Sequence, residues 1–384
     1  MRRSRSVRQA THVVRRSFRW LVLALCIVAA RAEADPQATW APTRIPSDAE
    51  IEKLLADRVG GASQGIGVVV GMINNKGRRI VAYGNSSKDD KRPLDGDTIF
   101  EIGSITKVFT SLLLMDMAQK GEVSVADSIA KYLPKGVKAP ERNGRVITLE
   151  DLATHRSGLP WGAPNLVDPF GGYTVQELYE FLGSYRLPRD IGSEYGYSNL
   201  GAGLLGHLLS LRAGQDFAEL LRARVLGPLG MHDTSITLSP EMKSHLAVGH
   251  DTYLKPVAKM DFSIRMPLAP GGGLSSSAKD LLSFLAANLG YTKTSLAVAM
   301  SAQISIRRPT APSIPDGEIA YGWFIQTKNG RSIVYHSGAT PGFRSYIGFD
   351  PVGRMGVVVL SNRYGSSLTD DLGQHLLNDT LPLP

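Results

Sequence analysis

Residues 65–84, GIGVVVGMINNKGRRIVAYG, decide the fold of this chain. Two runs rich in β-branched residues flank the turn residues 75–77, a pattern that indicates two strands joined as a hairpin. The same texture returns near the other end, in RSIVYHSG (331–338), RSYIGFDP (344–351) and RMGVVVLSN (354–362), where Gly and Pro separate the runs. We therefore predict one antiparallel sheet that takes its strands from both ends of the chain.

The middle of the chain has helical rather than strand periodicity. Apolar residues recur at helical spacing over 105–120, 148–154, 174–183, 200–213, 215–226 and 278–290. The segment 366–381 predicts a closing helix, and Ser47 with Glu50 forms the capping-box pattern of an opening one. The predicted fold class is therefore α+β: an antiparallel sheet flanked by helices, with a mostly helical lobe inserted. Such an arrangement places a ligand cleft between the lobes.

The first 34 residues differ in composition from the rest. They carry eight arginines and one acid, so that the formal net charge of +8 falls to +1 without them. A basic stretch, the apolar run 21–30 and small-residue sites ending at Ala32 and Ala34 are typical of a cleavable signal peptide. The run is shorter than the roughly 20 residues of a membrane span, so we expect no stable transmembrane anchor. We predict a signal over 1–34 and a periplasmic or secreted protein.

The composition of this segment and of the remaining chain also bears on the export route and on which classes of protein can be excluded. Arg15-Arg16 resembles a twin-arginine signal, although the general secretory route is the simpler interpretation. The nearly neutral remainder argues against a nucleic-acid partner. Cys26, the only cysteine, lies inside the apolar run, which leaves no disulfide, thiol nucleophile or cysteine-ligated metal in the exported chain. Without clustered His or Asp spacing, we expect no metal site and no cofactor.

EIGSITKVFT (101–110) places Ser104 and Lys107 on one face of a helix, at its beginning. A serine hydroxyl becomes a nucleophile when a base takes its proton, and an amine with a lowered pKa can do that. The spacing alone is weak, because Ser and Lys are common on helix surfaces. Two downstream triplets change the interpretation: Tyr197-Ser198-Asn199 before an apolar helix, and His336-Ser337-Gly338 at the end of a strand.

These three motifs, in this order, resemble those of the penicillin-recognising serine hydrolases, in particular the class C β-lactamase-like branch. That branch includes class C β-lactamases, DD-carboxypeptidases and endopeptidases, D-aminopeptidases and family VIII carboxylesterases. The stretches 147–160, 269–281 and 321–324 are similar to further family signatures, so that the resemblance covers about 47–380. It implies a single catalytic domain over 35–384, with a sheet lobe (47–103 and 318–384) and a helical lobe (104–317).

The resemblance also implies a role for each motif residue. Ser104 would form the acyl-enzyme, and Lys107 and Tyr197 would share the proton transfers. Asn199 would orient Lys107 and bind the substrate amide. Backbone N–H groups of Ser104 and Ala339 would form the oxyanion hole. The remaining substrate contacts would be His336, Ser337, Gly338 and, if it is not simply an exposed strand residue, Arg344.

The third motif departs from the usual pattern of β-lactamases in this branch, which begins with lysine. A histidine with an ordinary pKa near 6.5 is mostly neutral at pH 7 and grips a carboxylate less firmly. We therefore predict an enzyme that cleaves D-alanyl amide bonds of peptidoglycan, with β-lactams as weak substrates or as inhibitors. A class C β-lactamase proper, a carboxylesterase and a non-catalytic wall-binding module are the alternatives. If His336 binds carboxylate as a cation, kcat/KM should rise as the pH falls toward 6.

Overall fold

The computed structural model describes residues 46–59, 67–87, 89–168, 171–311, 317–365 and 367–383. The predicted signal peptide over 1–34 lies outside these ranges. None of the helices within them combines the length and the apolar character that crossing a bilayer requires. The strands are β1 (Gly67–Asn74), β2 (Gly77–Gly84), β3 (Ile99–Glu101), β4 (Glu141–Arg142), β5 (Arg145–Val146), β6 (Gly249–His250), β7 (Pro256–Val257), β8 (Ser275–Ser277), β9 (Arg308–Pro309), β10 (Gly317–Ile319), β11 (Phe324–Lys328), β12 (Arg331–Thr340), β13 (Phe343–Asp350) and β14 (Met355–Ser361).

The helices lie mostly between β3 and β9 in the chain, as the periodicity predicts. Short 3-10 segments cover Gly103–Ile105, Ile129–Lys131, Gly227–Leu229 and Ser263–Gly271. The α-helices are α1 (Asp48–Val59), α2 (Thr106–Gln119), α3 (Leu149–Ala153), α4 (Val175–Ser184), α5 (Asn199–Ala213), α6 (Phe217–Leu221), α7 (Pro240–His245), α8 (Ala278–Asn288), α9 (Ala297–Gln303) and α10 (Leu368–Leu377).

The largest sheet of the described residues has eight strands in the order β2-β1-β14-β13-β12-β11-β10-β9, and the neighbours pair antiparallel. The N-terminal hairpin joins the C-terminal strands through β1 and β14, where Val70 lies opposite Val359. The predicted fold class is confirmed. One departure occurs at the edge, where Arg308 and Pro309 already form β9; an edge strand tolerates a proline because one side needs no ladder hydrogen bond.

Both faces of the central strands are buried, which explains their uninterrupted apolar runs. Val68 and Val70 pack with Leu55 of α1 and Leu372 of α10, whereas Val69 belongs to the core on the other face, which includes α8. Side chains alternate between the faces of a strand, so these three consecutive valines contribute to the cores on both faces of the sheet. The sheet is therefore covered by helices on both sides.

Helix α2 lies at the centre of the molecule. Every residue from Thr106 to Met117 is buried. A helix that is apolar on all sides belongs in a core, and α2 packs among α5, α9 and the segment Ser263–Gly271. Lys107 is therefore a buried lysine at the N-terminal end of a buried helix. The sequence predicts α2 and α8 well but misses the short helices α7 and α9.

Candidate active site

Ser104 lies in the 3-10 turn Gly103–Ile105 that leads directly into α2. Gly103 has φ of +48°, a backbone conformation that glycine adopts without a Cβ penalty. A Cβ at Gly103 would lie 2.7 Å from the backbone N of Ala339 on β12. The absence of a side chain at Gly103 thus brings the start of the helix against the strand, and it places Ser104 next to Ala339.

The side-chain nitrogen of Lys107 contacts three parts of the chain. Its Nζ lies 2.9 Å from Ser104 Oγ, 2.6 Å from Asn199 Oδ1 and 2.5 Å from the carbonyl oxygen of Gly271. The side chain is 2 % exposed, and burial holds the pKa of Lys107 well below its ordinary value. Burial therefore moves this lysine toward the neutral amine, the form that can accept a proton.

Tyr197 sits above this amine, with Lys107 Nζ 4.8 Å from the ring centroid. Burial raises the pKa of Tyr197, and a hydrogen bond with Ser104 opposes that rise. The phenol is therefore neutral at pH 7 when no ligand is bound. A neutral phenol in contact with the nucleophile can pass a proton on, but it is not the initial base.

The loop that carries Tyr197 is fixed by the stretch 155–160. His155 Nδ1 accepts from the backbone N–H of Ser198 at 3.1 Å, and its ring lies 4.4 Å from that of Tyr197 between centroids. The Ser198 hydroxyl donates to the carbonyl of Pro160 at 2.6 Å and also caps α5. His155 and Ser198 are thus positioning residues, and the cap puts Asn199 in the first turn of α5, facing Lys107.

The structure places His336 away from the cleft surface, which differs from the predicted contact with substrate. Its ring is 1 % exposed and packs near Phe324 and Tyr197, with centroid distances of 5.1 and 6.5 Å. Burial, together with the neighbouring Lys107, lowers the pKa of His336 to about 3. His336 Nδ1 donates to the carbonyl of Ser337 at 2.6 Å, because a carbonyl oxygen only accepts. A neutral imidazole in this position gives no cation to the cleft.

The rest of the third motif lies along the cleft. Ser337, Gly338 and Ala339 line it together with Ser104, Tyr197 and Asn199. Gly338 packs against the backbone before Ser104, where a Cβ would lie 2.0 Å from the carbonyl oxygen of Ile102. Glycine at 338 therefore allows β12 to approach the nucleophile closely.

Arg344 also lines the cleft, but its guanidinium is paired. Its Nη2 donates to Asp370 Oδ2 at 2.6 Å, and Ser337 Oγ donates to Asp370 Oδ1. Asp370 lies in the first turn of α10 and does not line the cleft. Asp370 is not among the residues predicted from the sequence, since a polar residue at the start of a surface helix gives no signal of such a contact.

The cleft has a volume of about 810 Å³, and most of its remaining walls are apolar. Trp161, 70 % exposed, and Tyr364, 42 % exposed, lie at its rim. Leu166, Met260 and Phe262 contribute further apolar surface. These side chains are scattered over loops, so that no local pattern in the sequence indicated them. Within the described residues, no group of three or more His, Cys, Asp or Glu is arranged to hold a metal ion.

The fold and this serine–lysine–tyrosine arrangement define the class of serine hydrolase to which the motifs pointed. The chain belongs to the beta-lactamase family, because the sequence profile described as Beta-lactamase matches residues 48–379. The family predicted from the three motifs is thereby confirmed.

Some relatives are named carboxypeptidase/endopeptidase and others beta-lactamase. The chain is 28 % identical over 323 residues to the D-alanyl-D-alanine-carboxypeptidase/endopeptidase AmpH of Escherichia coli K12, covering 80 % of this chain and 82 % of that protein. It is 27 % identical over 356 residues to a beta-lactamase of Lysobacter lactamgenus, covering 84 % and 88 %. The structure of the class C beta lactamase from Rhodobacter sphaeroides matches with a TM-score of 0.73 at 26 % identity, over 87 % of this chain and 98 % of that one.

Proposed function

We propose that this protein is an exported serine hydrolase that forms an acyl-enzyme on Ser104 and cleaves D-alanyl-type amide bonds of peptidoglycan peptides, with slow turnover of β-lactams. The observation that carries the proposal is the 2.9 Å contact between Lys107 Nζ and Ser104 Oγ. A buried amine with a lowered pKa, in contact with a serine hydroxyl at the cleft surface, is the arrangement that nucleophilic catalysis requires.

Burial lowers the pKa of Lys107, and the partners of its nitrogen are compatible with a neutral amine as the base. A neutral amine has two N–H donors and one lone pair. The carbonyl of Gly271 and Asn199 Oδ1, both acceptors, take the two donors, and the lone pair is left for the hydroxyl of Ser104. The proton of Ser104 then moves to Lys107 while Oγ bonds to the substrate carbonyl carbon.

Collapse of the tetrahedral species releases the amine. The C–N bond breaks, and the neutral phenol of Tyr197 donates its proton to the departing nitrogen as Lys107 returns a proton to Tyr197. Water then adds to the acyl carbon and gives a proton to the Lys107–Tyr197 pair. The bond between the acyl carbon and Ser104 Oγ breaks, and the pair returns the proton to Oγ, which regenerates the hydroxyl. The backbone N–H groups of Ser104 and Ala339 are the donors proposed for the oxyanion in both steps.

The substrate class rests on the third motif and on the relatives. A lysine in place of His336 would offer a permanent charge to the carboxylate of a β-lactam, whereas this imidazole is buried and neutral at pH 7. Longer peptides reach the apolar rim at Trp161 and Tyr364, and remote contacts of this kind can drive the chemistry. The AmpH relative is named a carboxypeptidase/endopeptidase, which supports the same choice. Short acyl esters are the second candidate substrate, because the apolar walls suit an uncharged acyl group.

Side-by-side kinetics with a chromogenic cephalosporin, a D-alanyl peptide and a short acyl ester test this proposal. We expect kcat/KM for the peptide to exceed that for the cephalosporin by at least about tenfold. Mass spectrometry after fluorescent penicillin or fluorophosphonate treatment should find the adduct on Ser104, and Ser104→Ala should abolish it. Ser301→Ala, a change at an exposed serine of α9, is the matched control and should label normally. Labelling that persists in Ser104→Ala, or rapid cephalosporin turnover without peptide cleavage, would contradict the proposal.

A further inference from the structure

Asp370 ties together the two polar side chains of the third-motif wall. Its Oδ1 accepts from Ser337 Oγ, and its Oδ2 accepts from Arg344 Nη2 at 2.6 Å and from Thr369 Oγ1 at 3.3 Å. The pair is partly shielded from water, since the side chains of Arg344 and Asp370 are 26 % and 20 % exposed. Charge-assisted hydrogen bonds in such surroundings are about twice as strong as neutral ones.

Ser337 and Arg344 are the two groups on this wall that could hold a carboxylate. Both line the cleft, whereas Asp370 lies behind them. Ser337 is two residues before Ala339 on the same face of β12, roughly 7 Å along the strand. If the scissile carbonyl of the substrate is bound at the backbone N–H of Ala339, a carboxylate on the next residue of the substrate would therefore reach Ser337. Asp370 holds the only proton of the Ser337 hydroxyl and balances the charge of Arg344.

We propose that Asp370 acts as an internal carboxylate that makes this site selective for acyl donors whose leaving group has no free carboxylate beside the scissile bond. This inference rests on the proposed acyl-enzyme chemistry at Ser104 and narrows its substrate class. The preferred leaving groups are uncharged amines, such as an amino-acid amide, or alcohols. D-Alanyl bonds to a residue with a free α-carboxylate remain substrates, but they are cleaved more slowly.

The other cations near the cleft do not replace Arg344. Lys107 is enclosed by its contacts with Ser104, Asn199 and Gly271. Arg265 lines the cleft from the segment Ser263–Gly271, but it is 4 % exposed and donates to the carbonyl of Gly171. A carboxylate substrate that takes the Ser337 hydroxyl proton or the Arg344 Nη2 donor deprives Asp370 of one of its hydrogen bonds and places a second negative charge next to it. The loss of one charge-assisted hydrogen bond corresponds to roughly a 10- to 100-fold effect.

A matched pair of peptides provides the test: diacetyl-L-Lys-D-Ala-D-Ala and the same peptide with a C-terminal carboxamide. The wild-type protein should cleave the carboxamide with a kcat/KM about tenfold higher. Asp370→Asn removes the charge with little change in shape, and it should raise kcat/KM for the free carboxylate about tenfold while changing the carboxamide less than threefold. Asp370→Glu keeps the charge and should keep the wild-type preference.

Two further variants assign the effect to this contact. Asp371→Asn removes the same charge one residue along α10, where no side-chain hydrogen bond to Ser337 or Arg344 is described, and it should behave like the wild type. Arg344→Gln in the Asp370→Asn background should abolish the gain on the free carboxylate. Thermal unfolding of each variant shows whether it is folded, and the wild-type preference alone decides the proposal if Asp370→Asn is not.

The two proposals fail in different ways. A wild-type enzyme that labels on Ser104 and cleaves the free carboxylate as well as the carboxamide, or better, overturns the inference and leaves the acyl-enzyme function intact. The same holds if folded Asp370→Asn shows no gain. If Ser104 is not labelled and neither peptide is cleaved, the proposed function fails, and the inference fails with it.

Discussion

On one side of the cleft Lys107 Nζ contacts both Ser104 Oγ and Asn199 Oδ1, whereas on the other side Ser337 and Arg344 donate to Asp370. The first side is the nucleophile wall (Ser104, Lys107, Tyr197 and Asn199), and the second is the strand wall (Ser337, Ala339 and Arg344). In the nucleophile wall, burial lowers the pKa of Lys107, whose nitrogen contacts Ser104. In the strand wall, side-chain donors are held by the protein itself, and the backbone of Ala339 is what remains for substrate.

This difference shows that a motif can keep its position while its side chains have different partners. The backbone of the third motif still lies beside the nucleophile, because Gly103 and Gly338 permit the close approach of β12. Its side chains no longer provide a charge to the cleft, since His336 is buried and Arg344 is paired. The nucleophile wall and the strand wall can therefore be perturbed separately.

The largest expected effect comes from breaking the nucleophile wall. Lys107→Ala and Tyr197→Phe should each lower the rate of acylation about 1,000-fold or more, because each interrupts one proton path. The double variant should be little worse than the slower single variant, since residues that act as a unit are non-additive. Stopped-flow measurement of fluorescent penicillin binding gives the acylation rate directly.

A multiplicative loss in the double variant would argue against a shared proton path. The comparison is sharpened by Asn199→Ala, which removes one acceptor from Lys107 but leaves its contact with Ser104. We expect a smaller loss from Asn199→Ala than from Lys107→Ala. The order of the three single variants thus measures how far the wall depends on the contact between Lys107 and Ser104.

The site could be predicted from sequence where it depends on local motifs, and not where it depends on contacts between distant segments. Ser104, Lys107, Tyr197 and Asn199 sit at helix starts whose patterns are visible in the sequence, and the structure brings them together. The burial of His336 depends on packing against Phe324 and Tyr197, which no motif spacing records.

The same reasoning explains what was found and missed in the fold. The β-branched runs of β1 and β14 and the apolar pattern of α2 are long enough to define their elements. Helices α7 and α9 have only six and seven residues, too few for a periodic signal. The contact of Asp370 with Ser337 spans 33 positions of the chain and joins a helix to a strand. Such a contact follows from the docking of α10 on the sheet.

A second, smaller effect should follow from moving the strand wall. In Gly338→Ala the new methyl would lie 2.0 Å from the carbonyl oxygen of Ile102, so that β12 must shift away from the turn that carries Ser104. Overpacking of this kind costs about 1–3 kcal/mol of unfolding free energy. We expect a lower urea midpoint and a lower kcat, because Ala339 moves with the strand.

Gly183→Ala is the matched control for this change. Gly183 is exposed in α4, and a Cβ there would meet no atom within 4 Å. Alanine should be neutral or should stabilise that helix by up to about 1 kcal/mol. Normal stability and activity in Gly338→Ala would show that β12 and the nucleophile turn are less tightly coupled than the structure indicates.

The smallest expected effect on activity concerns the buried histidines His155 and His336, whose pH dependence appears in stability instead. Burial lowers the pKa of His336 to about 3, and it also lowers the pKa of His155. Below pH 6.5 the unfolded chain binds a proton at each site and the folded chain does not, so stability falls as the pH falls. The loss is about 1.4 kcal/mol per pH unit for each histidine, and for His336 it continues to pH of about 3.

Urea unfolding at pH 7, 6 and 5 measures this loss, and His336→Asn isolates one contribution to it. The variant should lose about 2 kcal/mol less than the wild type between pH 7 and 5, whatever its stability at pH 7. Because His336 stays neutral, kcat/KM for a D-alanyl peptide should show no rise as the pH falls from 7 to 6. A rise that disappears in His336→Asn, together with an unchanged slope of stability, would mean that His336 ionises in the folded protein. In that case His336 would place a positive charge next to the strand wall at low pH. The difference between the two walls would then depend on pH.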